Sequence, residues 1–296
     1  MRLNLSPYNK GLLITALGVL IITPDGLLTR LIGADTWSYV FWRGLLFGGS
    51  ICLGTIVMYR RQSWAHFRAL GWAGLLVAAV FAVGSIMFVF AFTTTAVANT
   101  LFIINTSPIF AAIIGWYFLK EAVPIRTRIT IVVVLIGISI IAFGSDAQSG
   151  NLLGNLAALG AAISIAVGFI LARYFRDIDM VPAVGLGGLM MAAVTIPWAS
   201  PAAIAPDRWP YMLLVGLIIL PISFSLMYIG PRYLPAAEVS LMMLLEAILG
   251  PLFVWLALGE NPGVPTLIGG AIILTALALN TALPLLFSKN LNLKPS

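Results

Sequence analysis

Long apolar runs alternate with short polar connections along the whole chain. An α-helix needs about 20 apolar residues to cross the hydrocarbon core of a membrane. Ten runs approach that length, and we number them as spans 1 to 10 in chain order. They cover residues 10–32, 38–58, 70–91, 96–118, 127–144, 152–173, 181–200, 210–230, 236–258 and 264–287. The pattern predicts an all-α polytopic membrane protein with ten transmembrane helices.

The composition excludes most other classes of protein. Hydrophobic residues make up 61% of the 296 residues and charged residues only 9%, whereas about 25% are charged in an ordinary soluble domain. That balance excludes a soluble enzyme, a disordered chain and a nucleic-acid binder. The first run is too long for the apolar core of a cleavable signal peptide, so we expect it to be retained as span 1. Cys52 is the single cysteine, so no internal disulfide is expected.

Lysine and arginine are distributed unevenly between the connections. If the N-terminus is cytoplasmic, all but three of the 16 basic residues lie on the cytoplasmic side, the exceptions being Arg30, Arg43 and Arg208. Cytoplasmic loops carry an excess of basic residues, so both termini are predicted to be cytoplasmic. Aromatic residues near the predicted outer ends are expected to anchor the helices at the interface, namely Trp37, Tyr39, Trp42, Trp209 and Tyr211.

The second half of the chain repeats the first. A shift of 139 residues places Trp116, Leu119 and Glu121 at the end of span 4 on Trp255, Leu258 and Glu260 at the end of span 9. Each half holds five spans, and an odd number forces the halves into opposite orientations. Residues 1–146 and 147–296 are therefore predicted to form inverted repeats, an arrangement that is typical of transporters with a substrate site near the membrane midplane.

Several short motifs occur in the order and spacing of a known family. They are Phe41-Trp42-Arg43 in span 2, Thr106-Ser107-Pro108 in span 4, and Leu119-Lys120-Glu121 and Leu258-Gly259-Glu260 closing spans 4 and 9. With these motifs the two halves resemble the EamA repeats of the drug/metabolite transporter superfamily. The second half departs at Leu245-Glu246-Ala247, where such repeats often carry a proline after the glutamate. The resemblance implies an exporter of the bacterial inner membrane whose bundles rock about a site lined by spans 1, 3, 4, 6, 8 and 9.

Ionisable residues inside spans are costly and are therefore candidate functional residues. Asp25 and Arg43 both lie roughly 7–11 Å below the outer surface, at 1.5 Å per residue, so an ion pair is expected, either as a structural link or as an outer gate. Glu246 near the middle of span 9 could exchange a proton, bind an ammonium group, or stay protonated against a neighbouring helix. Glu238 suits the start of the same helix.

Polar and aromatic residues within the spans suggest a mostly apolar binding cavity. The candidate substrate-binding residues are Ser85, Phe88, Asn99, Phe102, Asn105, Ser164, Tyr228 and Glu246. Pro24 and Pro108 interrupt helical hydrogen bonding and are candidate hinges. Glu121 and Glu260 are expected to bind loop amides or to pair with residues such as Arg126. Gly44-x-x-x-Gly48 permits close helix contact, so either a monomer or a homodimer is possible.

These observations favour a secondary transporter of small amphipathic metabolites that works by alternating access, and the resemblance implies that it is an exporter, similar to bacterial exporters of aromatic and other amino acids. Spans contain no interior lysine for a phosphate group, so amino acids, including aromatic ones, are the preferred substrates. The alternative is a proton-coupled antiporter of drugs or organic cations that uses Glu246. We find no motif for an enzyme, a metal or a cofactor. The expected partners are a small-molecule substrate and membrane lipid, not nucleic acid.

Overall fold

A computed structural model describes residues 6–94, 97–143, 151–200, 202, 204–258 and 263–291. In this part of the chain the ordered elements are all helices, and each of the ten predicted spans is helical. Their bounds are Pro7–Ile22 and Asp25–Ile32 in span 1, Thr36–Tyr59 in span 2, Ser63–Thr94 in span 3, Val97–Ile104 and Ser107–Leu119 in span 4, Ile125–Phe143 in span 5, Leu152–Tyr174 in span 6, Val181–Thr195 in span 7, Trp209–Leu213, Leu214–Ile219 and Leu220–Ile229 in span 8, Ala236–Leu258 in span 9, and Gly263–Leu291 in span 10.

The surface of the bundle is apolar. Among the described residues, six helical stretches are long and apolar enough to cross a membrane, and one of them, Thr36–Ala91, is 56 residues long and holds spans 2 and 3. No more than 50% of the most apolar part of each stretch is buried, so large apolar side chains such as Leu53 and Val132 face outward. A soluble monomer rarely exposes so much contiguous apolar surface. The chain is therefore a polytopic membrane protein.

Polar side chains start several of the helices. The side chains of Ser6, Asp35 and Asn151 accept hydrogen bonds from the main-chain amides of Asn9, Ser38 and Leu153, at the starts of spans 1, 2 and 6. Amides in the first turn have no partner within the helix, and such caps satisfy them.

We call the face at which span 1 begins the first face of the bundle, and the opposite face the second face.

The two halves pack with pseudo-two-fold symmetry. Three contacts join equivalent spans, namely 2 with 7, 4 with 9 and 5 with 10. Three other contacts occur twice, because the symmetry replaces each span by its equivalent in the other half. The contact of spans 3 and 6 corresponds to that of spans 8 and 1, the contact of spans 3 and 7 to that of spans 8 and 2, and the contact of spans 4 and 6 to that of spans 9 and 1. Because each half crosses the membrane five times, the two halves run in opposite directions. Ten helices in two inverted five-helix repeats are thus confirmed.

Glycines allow the equivalent spans to approach closely. A Cβ atom placed on Gly48 would lie 2.6 Å from the Gly185 carbonyl oxygen of span 7, and one on Gly44 would lie 2.7 Å from the Gly188 carbonyl oxygen. The Gly44-x-x-x-Gly48 face is therefore used inside the chain and is not free to form a homodimer contact. Spans 5 and 10 meet in the same way at Gly137.

Helix breaks make the two halves unequal. Span 1 is interrupted at Thr23 and Pro24, and span 4 at Asn105 and Thr106, just before Pro108. Their counterparts, spans 6 and 9, are continuous over Leu152–Tyr174 and Ala236–Leu258. Proline removes a helical hydrogen bond and clashes with the preceding turn. Span 9 has no proline directly after Glu246, and it remains helical through Pro251.

Candidate functional site

A buried polar cluster lies at the break in span 1. This Asp25 cluster comprises Asp25, Thr29, Tyr39 and Arg43. The Arg43 Nη1 group donates to Asp25 Oδ1 at 2.8 Å and to the Tyr39 hydroxyl at 2.6 Å. The Thr29 hydroxyl lies 2.6 Å from the Tyr39 hydroxyl and donates to the main-chain oxygen of Asp25 at 2.8 Å. The predicted ion pair is therefore formed, with the Asp25 side chain only 11% exposed.

Local structure explains why these four side chains meet. Pro24 ends the first helix of span 1, so Asp25 becomes the first residue of the next helix, where a carboxylate is favoured by the helix dipole. Thr29 follows Asp25 by four residues, and Arg43 follows Tyr39 by four, so each pair shares one helix face. The prediction of Tyr39 as an interface anchor was wrong, because its ring is buried against this cluster. The two four-residue spacings are the sequence signal that would have found it.

Arg43 retains hydrogen-bonding capacity. Both of its recorded hydrogen bonds use Nη1, and within the described residues its Nε and Nη2 groups have no partner. Glu246 of span 9 is half-buried and lies within Coulombic range of both Asp25 and Arg43. Span 9 reaches this position because it packs against the second helix of span 1. A cation with free donors and a carboxylate therefore share one region of the bundle.

An aromatic cluster extends from mid-membrane toward the first face. Its members come from spans 2, 3, 6 and 8, and they are Phe47, Phe81, Phe169, Phe224 and Tyr228. The rings of Phe47, Phe81 and Phe224 are 5.3–5.5 Å apart, and Tyr228 lies 5.5 Å from Phe169. Within the described part of the chain, the Tyr228 hydroxyl has no hydrogen-bond partner. Only Tyr228 of this cluster was among the predicted substrate-binding residues.

The other predicted residues lie in different surroundings. Ser164 packs against Gly84 at the contact of spans 3 and 6, and Ser85 is half-buried. Phe88 is 36% exposed. Phe102 packs on the apolar cluster of spans 5, 9 and 10, and Asn105 lines a small cleft with Pro108 between spans 4, 5 and 9. The side chain of Asn99 lies outside the described residues, as does Glu260.

Ion pairs join several spans at the first face. Glu238 of span 9 accepts a 2.8 Å hydrogen bond from the Tyr8 hydroxyl of span 1 and a 3.2 Å hydrogen bond from Arg126 of span 5. Glu121 after span 4 pairs with Arg173 of span 6 at 2.8 Å. Glu121 was expected to bind loop amides or to pair with a residue such as Arg126; it pairs with Arg173, and Arg126 pairs with Glu238. We call Tyr8, Glu121, Arg126, Arg173 and Glu238 the first-face network.

A narrow cleft lies between spans 4, 5 and 9 beneath this network. Glu121 and Glu238 both line it, together with Ala111, Gly115 and Thr127. The Thr127 hydroxyl is buried without a hydrogen-bond partner in the described structure. Both carboxylates are held by arginines, Glu238 by Arg126 and Glu121 by Arg173. Any opening between spans 5 and 9 has to separate Arg126 from Glu238.

Comparison with known proteins identifies the architecture. The sequence matches the model of the EamA-like transporter family over residues 9–143 and again over residues 152–282. It is 28% identical over 177 residues to the uncharacterized transporter YdfC of Bacillus subtilis, covering 57% of this chain and 58% of that protein. It is also 28% identical over 152 residues to solute carrier family 35 member G1 of Mus musculus, covering 45% of this chain and 41% of the mouse protein.

The matched stretches span less than two thirds of the length of these curated relatives. One solved crystal structure is similar with a TM-score of 0.76 at 18% identity, covering 92% of this chain and 96% of that chain. A likeness at this identity shows the fold alone. The two family matches coincide with the two halves of the pseudo-two-fold bundle, and members of this family are transporters, not enzymes.

Proposed function

Because the chain belongs to the EamA-like transporter family, we propose that it is a secondary transporter that exports small amphipathic metabolites by alternating access. Amino acids, including aromatic ones, are the proposed substrates, and the bacterial inner membrane with both termini cytoplasmic is the proposed location. The first face is then cytoplasmic. The observation that carries the proposal is that Arg43 and Asp25 of the first half lie near Glu246 of the second half.

The charges suit a zwitterion. An amino acid carries a carboxylate and an ammonium group a few bonds apart, and a poorly solvated site must supply a counter-charge for each. Arg43 offers its free Nε and Nη2 donors to the carboxylate, and Glu246 accepts the ammonium group. Asp25 holds the Arg43 side chain in place through its 2.8 Å bond. The aromatic cluster supplies an apolar surface for varied substrate side chains.

The first-face network suits a closed state of the cytoplasmic side. One ion pair joins spans 5 and 9, a second joins span 6 to the end of span 4, and the Tyr8 hydrogen bond to Glu238 adds span 1. The interrupted helices of spans 1 and 4 supply points of bending at Pro24 and Pro108. In this mechanism the network breaks when the cytoplasmic side opens, and substrate binding next to Asp25 and Glu246 favours the return.

A second candidate is a proton-coupled antiporter of organic cations. Glu246 supports it, because a half-buried carboxylate beside Asp25 can bind a cation and a proton in turn. In that case Arg43 contributes only to structure. The two candidates differ in whether the substrate needs a carboxylate.

Transport by purified protein in proteoliposomes separates the two candidates. Labelled amino acids and organic cations are offered in parallel, with and without a pH gradient. We expect amino acids to move, and we expect both Arg43→Gln and Glu246→Gln to lower their transport at least tenfold, which corresponds to about 1.4 kcal/mol of lost binding. Asp207→Asn is the matched control, since Asp207 forms an exposed pair with Arg208.

Amino-acid transport at the normal rate by Glu246→Gln would contradict the ammonium-binding role. If no amino acid moves while organic cations exchange for protons, the second candidate replaces the first.

A further inference from the structure

The connection between spans 2 and 3 presents an exposed surface of basic and aromatic side chains at the first face. Arg60, Arg61 and Arg68 are exposed, and Trp64 is 75% exposed. We call Arg61, Trp64 and Arg68, with Arg60 beside them, the basic patch. The transport proposal assigns no task to these residues.

A helix break orients the patch. Span 3 has non-helical backbone angles at Gly71, with φ of 50° and ψ of −147°, so the segment before it is a separate short helix. Such a positive φ favours glycine, which has no Cβ atom. Phe67 and Leu70 of the short helix pack on the core of the bundle. Trp64 and Arg68 are four residues apart and therefore share the opposite, outward face, and Arg61 lies in the 3-10 turn Arg60–Gln62 directly before the short helix.

Among the described residues, no acidic side chain forms an ion pair with the patch. The sequence has no acidic residue between Asp35 and Glu121. Throughout the described residues, the guanidinium groups of Arg60, Arg61 and Arg68 take part in no ion pair or hydrogen bond. Arg126, Arg173 and Arg232 of the same face differ, because each pairs with an acidic residue. The basic patch therefore has three positive charges available for an anion from outside the chain.

The depth of the patch matches lipid headgroups. Val57 and Met58 at the end of span 2 are 73% and 76% exposed, so they face the acyl chains. Trp72 at the start of the membrane part of span 3 is 70% exposed, and tryptophan is enriched at the level of the headgroups. The patch lies between these apolar positions in sequence and hence at the boundary of hydrocarbon and water.

We propose that the basic patch binds the headgroup of an anionic phospholipid in the leaflet at the first face. Arg61 and Arg68 donate hydrogen bonds to the phosphate oxygens, since a guanidinium group matches a phosphate in bidentate geometry. Trp64 lies between them and packs against the glycerol and upper acyl region. A zwitterionic headgroup is bound less well, because its own cation is repelled by three arginines.

Native mass spectrometry of the full chain, titrated in detergent with phosphatidylglycerol or phosphatidylcholine, tests the proposal. We expect tight binding of phosphatidylglycerol, and about 30-fold weaker binding by Arg61→Gln/Arg68→Gln, because each basic residue at an anionic surface strengthens binding roughly fivefold. Arg60 stays unchanged in this variant, because its φ of 46° is strained for most side chains. The control is Lys10→Gln/Arg128→Gln, which removes the same charge from two exposed positions on the same face and should bind like the parent.

A second variant guards against a folding defect. Arg61→Lys/Arg68→Lys keeps both charges and should retain most of the phosphatidylglycerol affinity. Three results would overturn the proposal. They are unchanged phosphatidylglycerol binding by Arg61→Gln/Arg68→Gln, an equal loss of binding in this variant and in the control variant, and equal affinity of the parent for phosphatidylcholine and phosphatidylglycerol. Displacement of the lipid by inorganic phosphate would also overturn it, since it would mark a site for soluble anions.

Discussion

Removal of the Glu238 charge should open the first face. In Glu238→Gln the side chain loses its charge while its size is kept, and Arg126 loses its ion-pair partner at 3.2 Å. Removing one partner of a buried ion pair costs about 3–5 kcal/mol. The Arg126 side chain is 27% exposed, and solvent screening reduces the cost, so we take about 2 kcal/mol. If the pair exists only in the closed state, about 2 kcal/mol shifts the closed-to-open equilibrium about 30-fold.

Cysteine labelling can measure this shift. Ala111 is 1% exposed and lines the cleft beneath the network, so Ala111→Cys in a Cys52→Ser chain should react slowly with a membrane-impermeant maleimide. Adding Glu238→Gln should raise the labelling rate from the first face at least tenfold. Asp207→Asn, which breaks an exposed pair at the second face, should leave that rate unchanged. An unchanged rate in Glu238→Gln, or an equal rise in both variants, would refute the closing role of the network.

Three further predictions concern packing, the buried charges and the helix break. Gly48→Leu should lower the melting temperature, because its Cβ would lie 2.6 Å from a main-chain oxygen of span 7 and overpacking costs about 1–3 kcal/mol. Gly49→Leu is the control and should melt like the parent, because a Cβ at Gly49 would have no atom within 4 Å. Equal melting temperatures of the two variants would contradict the packing of spans 2 and 7. Arg43→Gln should be less stable than Arg43→Gln/Asp25→Asn in the same assay, because the single variant leaves a buried carboxylate unpaired; the reverse order would contradict this. Pro108→Ala should slow transport without changing helix content by circular dichroism, and an unchanged rate would exclude a hinge at this position.

Much of the architecture was predictable from the sequence. Apolar run length defines the spans, and five crossings per half dictate the opposite orientation of the repeats. The breaks at Pro24 and Pro108 were predictable because proline lacks an amide hydrogen. The break at Gly71 and the π-helical Leu214–Ile219 segment were not, because neither changes the apolar pattern.

The candidate site was predictable only in part. Asp25 and Arg43 could be paired because a short connection joins spans 1 and 2 and both residues lie at one depth. The partner of Glu121 lies 52 residues away, at Arg173, and depends on which spans pack together. Tyr39 was misassigned because an aromatic residue near a helix end suits an interface as well as a buried cluster. The ring contacts of Phe47 and Phe224 likewise require the packing of spans 2 and 8.

The whole account depends on two halves that cross the membrane in opposite directions. The loop between spans 2 and 3 and the loop between spans 7 and 8 are equivalent in the repeat, and Gln62 and Ala205 are exposed in them. Single cysteines at these positions, in a Cys52→Ser chain, can be labelled with an impermeant maleimide in vesicles of known orientation. We predict that Gln62→Cys reacts only from the first-face side and Ala205→Cys only from the opposite side. Labelling of both from one side would contradict the inverted repeat and the transport mechanism built on it.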